Sequence, residues 1–514
     1  MNESTWKIIL YTAGVVVTLF LLLVSTGALK FESGGFLSNA QSGILHSSFY
    51  FLVLFFMLIL TVLSIAGLIC AILQIKRMQK ISDKKFDDTI GNVVKPVRLY
   101  TVAEDFNPLA MPNLIDVSSR LSQIARKGES GVVELLDYTV LAALQSRASD
   151  IHIEPSFNKV TIKYRLDGVL HDVVEVPRDL LNRIISRLRV LANLTIYHRG
   201  KPQDGRLDIR AGQRNFDMRL SIMPTLHGEK SVVRLFESSQ QGYDLSSLGL
   251  NPRMLEEFHD LLMKPQGSVF LTGPTGSGKT TTMYAAIKHI IEQRGETTNI
   301  VTIEDPIERE IMGVNQTQVN PKRDLTFASG LRSILRQDPD VIMVGEVRDP
   351  ETAQIVTQAG LTGHLVISSI HAESSVGIFN RLIDMGIEPF LVASSVTGVL
   401  AQRLVRKNCP YCSEPDMPSL KSLKLLGIPP DESNFFKKGR GCAKCQNRGY
   451  LGRIGIFELL TVTNELREAL QKKISTINLM EYAVKYGFVT LKEDGLDKVR
   501  RGYIHIDELV RVIA

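Results

Sequence analysis

The sequence predicts an α/β fold, a parallel sheet built around a phosphate-binding loop. Three observations predict it. Four short apolar runs, SVFLT (268–272), NIVTI (299–303), DVIMV (340–344) and HLVISSI (364–370), have the length and composition of buried strands. Each run leads directly into polar residues, as strands do where an open α/β sheet forms a ligand crevice. Between the first run and the helix-like stretch KTTTMYAAIKHIIEQ (279–293) lies GPTGSGKT (273–280), which fits GxxxxGK[ST] in full.

In chain order the first elements are of another kind. Residues 8–29 and 49–73 carry no charge, and an apolar helix needs about 20 residues to cross a bilayer core. The first stretch exceeds the roughly 7–15-residue apolar core of a signal peptide. Neither stretch has the polar face of a helix lying on a soluble core. A transmembrane hairpin is therefore expected within 1–85. Lys76, Arg77, Lys80, Lys84 and Lys85 follow it against Asp83 alone. Positive flanks stay in the cytoplasm, so the chain from about residue 76 onward is expected there, with the patch able to meet anionic membrane lipid. That patch carries +4 of the total +6, which leaves +2 for everything else. A chain so nearly neutral lacks the basic face that nucleic acid requires, so no direct nucleic-acid partner is expected. The segment 86–130, with NPLAMPN at 107–113, reads as linker.

The loop Gly273, Pro274, Thr275, Gly276, Ser277, Gly278, Lys279 and Thr280, with Thr281 behind it, is the expected nucleotide cradle. Its glycines let backbone N–H groups turn inward, Lys279 reaches the β- and γ-phosphates, and the Thr280 hydroxyl serves Mg²⁺. The start of the following helix adds partial positive charge. ATP and Mg²⁺ are the ligands this implies. The other three runs lead into Glu304-Asp305, Gly345-Glu346 and His371. Glu346 is the first choice as catalytic acid/base, able to order the metal shell or the attacking water. Glu304 is the second, with Asp305 or Glu308 as a support for the Mg²⁺ water network. His364 and His371 are seven apart, which puts them on opposite faces of a regular strand. His371 is the one expected to face nucleotide, and His364 fits a core or surface position.

Cys409 and Cys412, then Cys442 and Cys445, form two CxxC hooks about 30 residues apart. In a reducing compartment four such thiols predict zinc rather than disulfides. A four-thiolate site leaves no open coordination position, so the zinc subdomain at 405–450 is expected to be structural. The fifth cysteine, Cys70, falls in the second apolar stretch and reads as packing.

The region from about Ser130 onward resembles the secretion ATPases of type II secretion and type IV pilus assembly. The resemblance rests on ASDIHIEP (148–155), YRLDGVL (164–170), QDGR (203–206), TIEDPIE (302–308), LTFASGLRSILRQDPDVIMVGEVRD (325–349), TGHLVISSIHA (362–372), LAQRLVR (400–406) and the four cysteines. It implies a RecA-like P-loop motor at 245–514, preceded by a smaller α+β domain at 131–240. It implies a homo-hexameric ring in which ATP turnover moves the two domains against each other. It implies that arginines of the smaller domain, here Arg165 and Arg206, reach toward nucleotide, with Arg332, Arg336 and Arg348 in motor motif positions. A polytopic inner-membrane platform protein is the implied partner. The cysteines match assembly and export ATPases, which favours export or pilus extension over retraction. A pilus retraction motor, a DNA-uptake or conjugation motor of the same superfamily, and a membrane-tethered scaffold that binds ATP without useful turnover are the rival readings. The N-terminus departs from the family: residues 76–129 are too short and too mixed for its usual docking domain, so the hairpin is expected to replace or supplement that attachment.

Overall fold

The computed structural model describes residues 100–103, 112–197, 200–211, 214–237, 244–295, 297–429, 436–472, 476–485 and 487–513. All belong to the unit spanning 98–514. The expected membrane spans at 8–29 and 49–73, Cys70 and the basic patch behind them lie outside the described residues. Among the described residues, no helix is long and apolar enough to cross a membrane.

Two seven-stranded sheets carry the fold. The first comprises β1 (Tyr100–Ala103), β2 (Asp150–Pro155), β3 (Lys159–Leu166), β4 (Val169–Pro177), β5 (Gln203–Ala211), β6 (Arg214–Thr225) and β7 (Gly228–Glu237). Their order is β1-β5-β6-β7-β2-β3-β4, antiparallel throughout except for the β1–β5 pair. Turn chemistry sets its hairpins. Asp167-Gly168 joins β3 to β4 with both residues at positive φ, 50° and 88°, which is what a tight two-residue hairpin demands and Asp-Gly supplies. Helices α1 (Leu114–Ala125), α2 (Val132–Gln145) and α3 (Leu181–Leu191) pack on this sheet, so the stretch 86–130 expected as linker instead supplies β1 and the core helix α1, whose Val117, Leu121 and Ile124 are buried. Leu121, Leu135 and Ile184 from the helices share one core with Ile151, Ile162 and Leu220 from the strands.

The second sheet holds β8 (Gly267–Thr272), β9 (Ile300–Glu304), β10 (Asn315–Gln318), β11 (Val341–Val347), β12 (Leu365–Ile370), β13 (Val396–Asn408) and β16 (Tyr450–Thr461). The order is β10-β9-β11-β12-β8-β13-β16. It is parallel from β10 to β13, and β16 closes one edge antiparallel. β8 is buried along its whole length, as a strand covered on both faces must be. Alternation along β8 sends Val269 and Leu271 into one core with Phe258 of α4 (Pro252–Leu262) and Ile287 of α5 (Lys279–Arg294). It sends Phe270 into another with Leu331 of α6 (Phe327–Ile334) and Val356 of α7 (Pro350–Leu361). Four of the seven strands are the runs read from sequence, while β10, β13 and β16 add to them.

β13 decides much of the site. It pairs with β8 only from Val396 to Ala401 and then continues beside β16 as far as Asn408. This overhang carries Gln402 and Arg403 past the end of β8, alongside the phosphate loop. Between β13 and β16 the chain makes a small insert with a two-stranded sheet, β14 (Ser413–Pro415) and β15 (Lys437–Gly439), and this insert carries the four cysteines.

Candidate active site

The strand order explains what meets what. β8 ends in the phosphate loop, its neighbour β12 ends at His371, the next strand β11 carries Glu346, and β9 ends in Glu304. All four run parallel, so their carboxyl ends open on one edge, where ligands bind in such sheets.

Gly278 caps α5 in the left-handed region with φ 92°, and Lys279 and Thr280 open the helix. Gly273 has φ 147°, and a Cβ there would stand 2.4 Å from the Gln402 carbonyl oxygen. Only glycine admits β13 that close. The Gln402 amide donates to the Ser277 carbonyl at 2.7 Å, which holds the loop from the side. Lys279 Nζ donates to the carbonyls of Gly273 (2.8 Å) and Pro274 (3.2 Å). Burial pushes the Lys279 ammonium below its usual range, and Arg403 adds to the effect while Glu346 opposes it.

Glu346 accepts from the Arg348 guanidinium and lies 3.9 Å from His371 Nε2. Arg348 also reaches Asp305 at 3.4 Å, so one arginine spans the ends of β11 and β9. The loop bearing His371 is clamped to its neighbours. Thr272 Oγ1 donates to the Ala372 carbonyl at 2.8 Å and accepts from the Ala372 N–H at 2.9 Å. Arg403 donates to the Glu373 carbonyl at 2.8 Å. The buried Glu458 of β16 accepts from the Ser375 N–H at 2.7 Å.

Glu304 stands in a different environment. It is buried at 3% exposure and accepts from Tyr284, from Thr302 at 2.6 Å and from Gln316 at 3.0 Å. Burial and then the Glu304 hydrogen bond push the Tyr284 hydroxyl far above its usual range. The Tyr284 oxygen also accepts from the Glu308 N–H at 3.2 Å, so it ties α5 to the acidic loop.

The smaller sheet contributes an arginine that sequence reasoning missed. Arg219 of β6 pairs with Glu308 at 3.2 Å. Arg165 instead pairs with Asp150 at 3.2 Å and donates to the Gly168 carbonyl at 3.1 Å. Arg206 is exposed on β5, opposite Arg219 in register. The structure therefore brings Lys279, Glu346 and His371 together and keeps Arg165 and Glu304 in bonds of their own. On the helices beside the motor sheet, Arg332 of α6 pairs with Glu351 of α7, and Arg336 donates to the Arg332 carbonyl at 2.8 Å. His364 sits at the far end of β12, 3.2 Å from the Ala359 carbonyl. No sequence signal singled out Arg219, because its register with Arg206 exists only once β5 and β6 have paired.

The ligating atoms of Cys409, Cys412, Cys442 and Cys445 all lie within 4.8 Å of one another. Three of the Sγ–Sγ separations are 3.8 Å. A disulfide needs about 2.05 Å, whereas tetrahedral zinc with bonds of about 2.3 Å sets its sulfurs about 3.8 Å apart. Backbone N–H groups of Gly441, Cys442 and Gly449 point at the sulfurs from 3.2–3.3 Å. The donor set fits a structural metal.

A parallel sheet, a complete phosphate loop and a carboxylate two strands away define the class of P-loop ATPases. The comparisons give the family. The model for "Type II/IV secretion system protein" matches residues 125–511. The chain is 46% identical over 384 residues to the type II secretion system ATPase E of Vibrio cholerae, covering 75% of this chain and 76% of that one. It is 42% identical over 398 residues to the type IV pilus assembly ATPase PilB of Myxococcus xanthus, covering 76% and 70%. In fold it resembles the Legionella pneumophila ATPase DotB, with a TM-score of 0.56 and 21% identity over 74% of this chain and 95% of that one. The chain belongs to the type II/IV secretion system protein family and is an ATPase motor of the secretion and pilus-assembly kind, as its motifs predicted.

Proposed function

We propose that this chain forms a homo-hexameric ring on the cytoplasmic face of a bacterial inner membrane and spends ATP on protein export or on pilus or pseudopilus assembly. The observation that carries the site assignment is the arrangement of Lys279, Glu346 and His371 at adjoining strand ends. The loop 273–280 would hold the triphosphate, with Lys279 leaving its two loop carbonyls for the β- and γ-oxygens. Thr280 would bind Mg²⁺, which supplies charge neutralisation at those oxygens. Glu346 would orient the attacking water, and His371, on its clamped loop, would sit beside the γ-phosphate. Loss of that phosphate would change the acidic loop that Tyr284 ties to α5, and so the Arg219–Glu308 contact with the smaller sheet. The four cysteines would bind zinc as a structural centre. The apolar stretches 8–29 and 49–73 would anchor the ring beside a polytopic platform protein, raising local concentration without a new interface.

The test is phosphate release by purified protein with Mg²⁺. Lys279→Ala is expected to abolish nucleotide binding and turnover together. Wild-type turnover from this variant would overturn the site assignment. For the anchor, a form lacking residues 1–75 is expected to leave the membrane fraction when other secretion components are absent.

A further inference from the structure

Among the described residues, the smaller domain meets the motor domain through contacts of different character. At the nucleotide side the contact is Arg219–Glu308, 3.2 Å long, with side chains 26% and 35% exposed. At the other side the contact is made by the cysteine insert. Gln446, 6% exposed, donates to the Pro112 carbonyl at 2.7 Å and to Ser146 Oγ at 3.3 Å. Arg448 donates to Asp167 at 3.0 Å, with side chains 12% and 17% exposed. These three targets are separate parts of the smaller domain: the entry to α1, the end of α2, and the β3–β4 turn. Three spaced points on largely buried side chains fix an orientation more firmly than an ion pair that is about a third exposed.

The insert is built to hold those two side chains still. Gln446 and Asn447 both take left-handed backbone, φ 54° and 58°, immediately after Cys445. The Arg448 guanidinium also donates to the Cys445 carbonyl at 3.2 Å, and the Gly449 N–H points at Cys445 Sγ from 3.3 Å. The knuckle closed by the four thiols therefore sets where Gln446 and Arg448 aim. His171 of β4 lies against the same surface: burial, then Arg448 and Arg406, push its imidazole below the usual range.

We propose that the four-cysteine knuckle is the pivot on which the smaller domain turns: its Gln446 and Arg448 contacts persist through the ATP cycle while the Arg219–Glu308 contact opens and closes. This rests on the reading that ATP turnover moves the two domains. It gives the metal site a second task beyond holding its own loop, which is to fix the axis of the stroke.

Hydrogen exchange on the full-length protein tests this, with Mg²⁺ and either ADP or a non-hydrolysable ATP analogue. Amides at 146–149, 166–169 and 446–449 are expected to exchange alike with both nucleotides, while those at 307–311 change about fivefold or more. Arg448→Glu is expected to speed exchange at 166–169 about tenfold with either nucleotide, with metal content per chain unchanged by mass spectrometry. The double variant Asp167→Arg/Arg448→Glu is expected to restore protection. Gln446→Asn tolerates left-handed backbone but is too short to reach Pro112, and is expected to loosen 112–117 without changing charge. The pivot is overturned if the nucleotide shifts 166–169 and 446–449 as much as 307–311. It is also overturned if Arg448→Glu leaves 166–169 unchanged, if it releases the metal, or if the charge swap fails to rescue. Protection of 273–280 reports nucleotide binding itself. A protein that never gains it refutes the motor reading, whereas one that gains it and shifts the knuckle contacts refutes the pivot alone.

Discussion

The ends of β9 and β11 are adjacent in one sheet, each carries a glutamate, and the two carboxylates have opposite surroundings. Glu304 is buried and takes hydrogen bonds from Tyr284, Thr302 and Gln316. Glu346 is partly exposed, and its neighbours Arg348 and His371 are more than half exposed. A carboxylate filled by fixed donors serves as a structural acceptor. One held by exposed charged partners can exchange them for water, metal or substrate. Position after a strand is common to both, and what separates them is whether their lone pairs are already used.

The largest expected effect falls on the open end. Glu346→Gln keeps shape and removes the charge that would order water. Steady-state phosphate release is expected to fall about 10³-fold, about 4 kcal/mol of transition-state stabilisation. ATP affinity, measured by titration, is expected to stay within about threefold. A variant that keeps about a tenth of wild-type turnover would break the comparison.

At the closed end the expected loss is in stability. Glu304→Ala leaves a hydroxyl on Tyr284, a hydroxyl on Thr302 and an amide on Gln316 without their acceptor, and a buried unsatisfied group costs about 1–3 kcal/mol. Some of these donors will find water, so urea unfolding is expected to show a loss of about 3 kcal/mol at unchanged slope. Glu304→Gln keeps one acceptor oxygen and is expected to cost about half as much. If Glu304→Gln folded normally yet lost turnover as severely as Glu346→Gln, the two carboxylates would share a role after all.

Gln402 lies between these cases, because its amide N–H holds Ser277 while its buried Oε1 has no hydrogen-bond partner among the described residues. Gln402→Ala is expected to free the phosphate loop, raising KM for ATP about tenfold with kcat within about threefold, since the loss is in binding geometry rather than chemistry. A kcat collapse at unchanged KM would place Gln402 with Glu346 instead.

Sequence made the sheet's centre readable and its edge obscure, for physical reasons. SVFLT, NIVTI, DVIMV and HLVISSI are continuous apolar runs because parallel strands are buried on both faces. β13 mixes buried apolar residues with Gln402, Arg403 and Arg406, because its second half leaves the sheet interior and borders the phosphate loop. Its chemistry was therefore present in LAQRLVR without its place being visible. Glycine spacing announced the phosphate loop, and cysteine spacing announced the metal knuckle, since each depends on local chain geometry. The arginine contact did not follow from spacing. Arg206 and Arg219 oppose each other across one antiparallel pair, and only the placement of the smaller sheet selects Arg219 to meet Glu308. Glu304 and Glu346 look alike in a string of letters, because their donors come from residues 284, 302 and 316 in one case and 348 and 371 in the other.

The smallest expected effect sharpens the closed end most finely. Tyr284→Phe keeps the ring in place and deletes one oxygen. Glu304 then retains Thr302 and Gln316 as donors, while the backbone N–H groups of Glu308 and Arg309 lose an acceptor at 3.2 and 3.4 Å. One net hydrogen bond is worth about 1 kcal/mol, so urea unfolding is expected to shift by about that much, less than for Glu304→Ala. Because the hydroxyl joins α5 to the acidic loop, amide exchange at 307–309 is expected to quicken while 300–303 in β9 stays protected. A stability loss larger than that of Glu304→Ala would mean that Tyr284, not Glu304, is the hub of this network. Unchanged exchange at 307–309 would mean that the acidic loop is held by its other contacts, among them Gln316 and Gln318, which accept from the Ile311 and Ile307 N–H groups respectively.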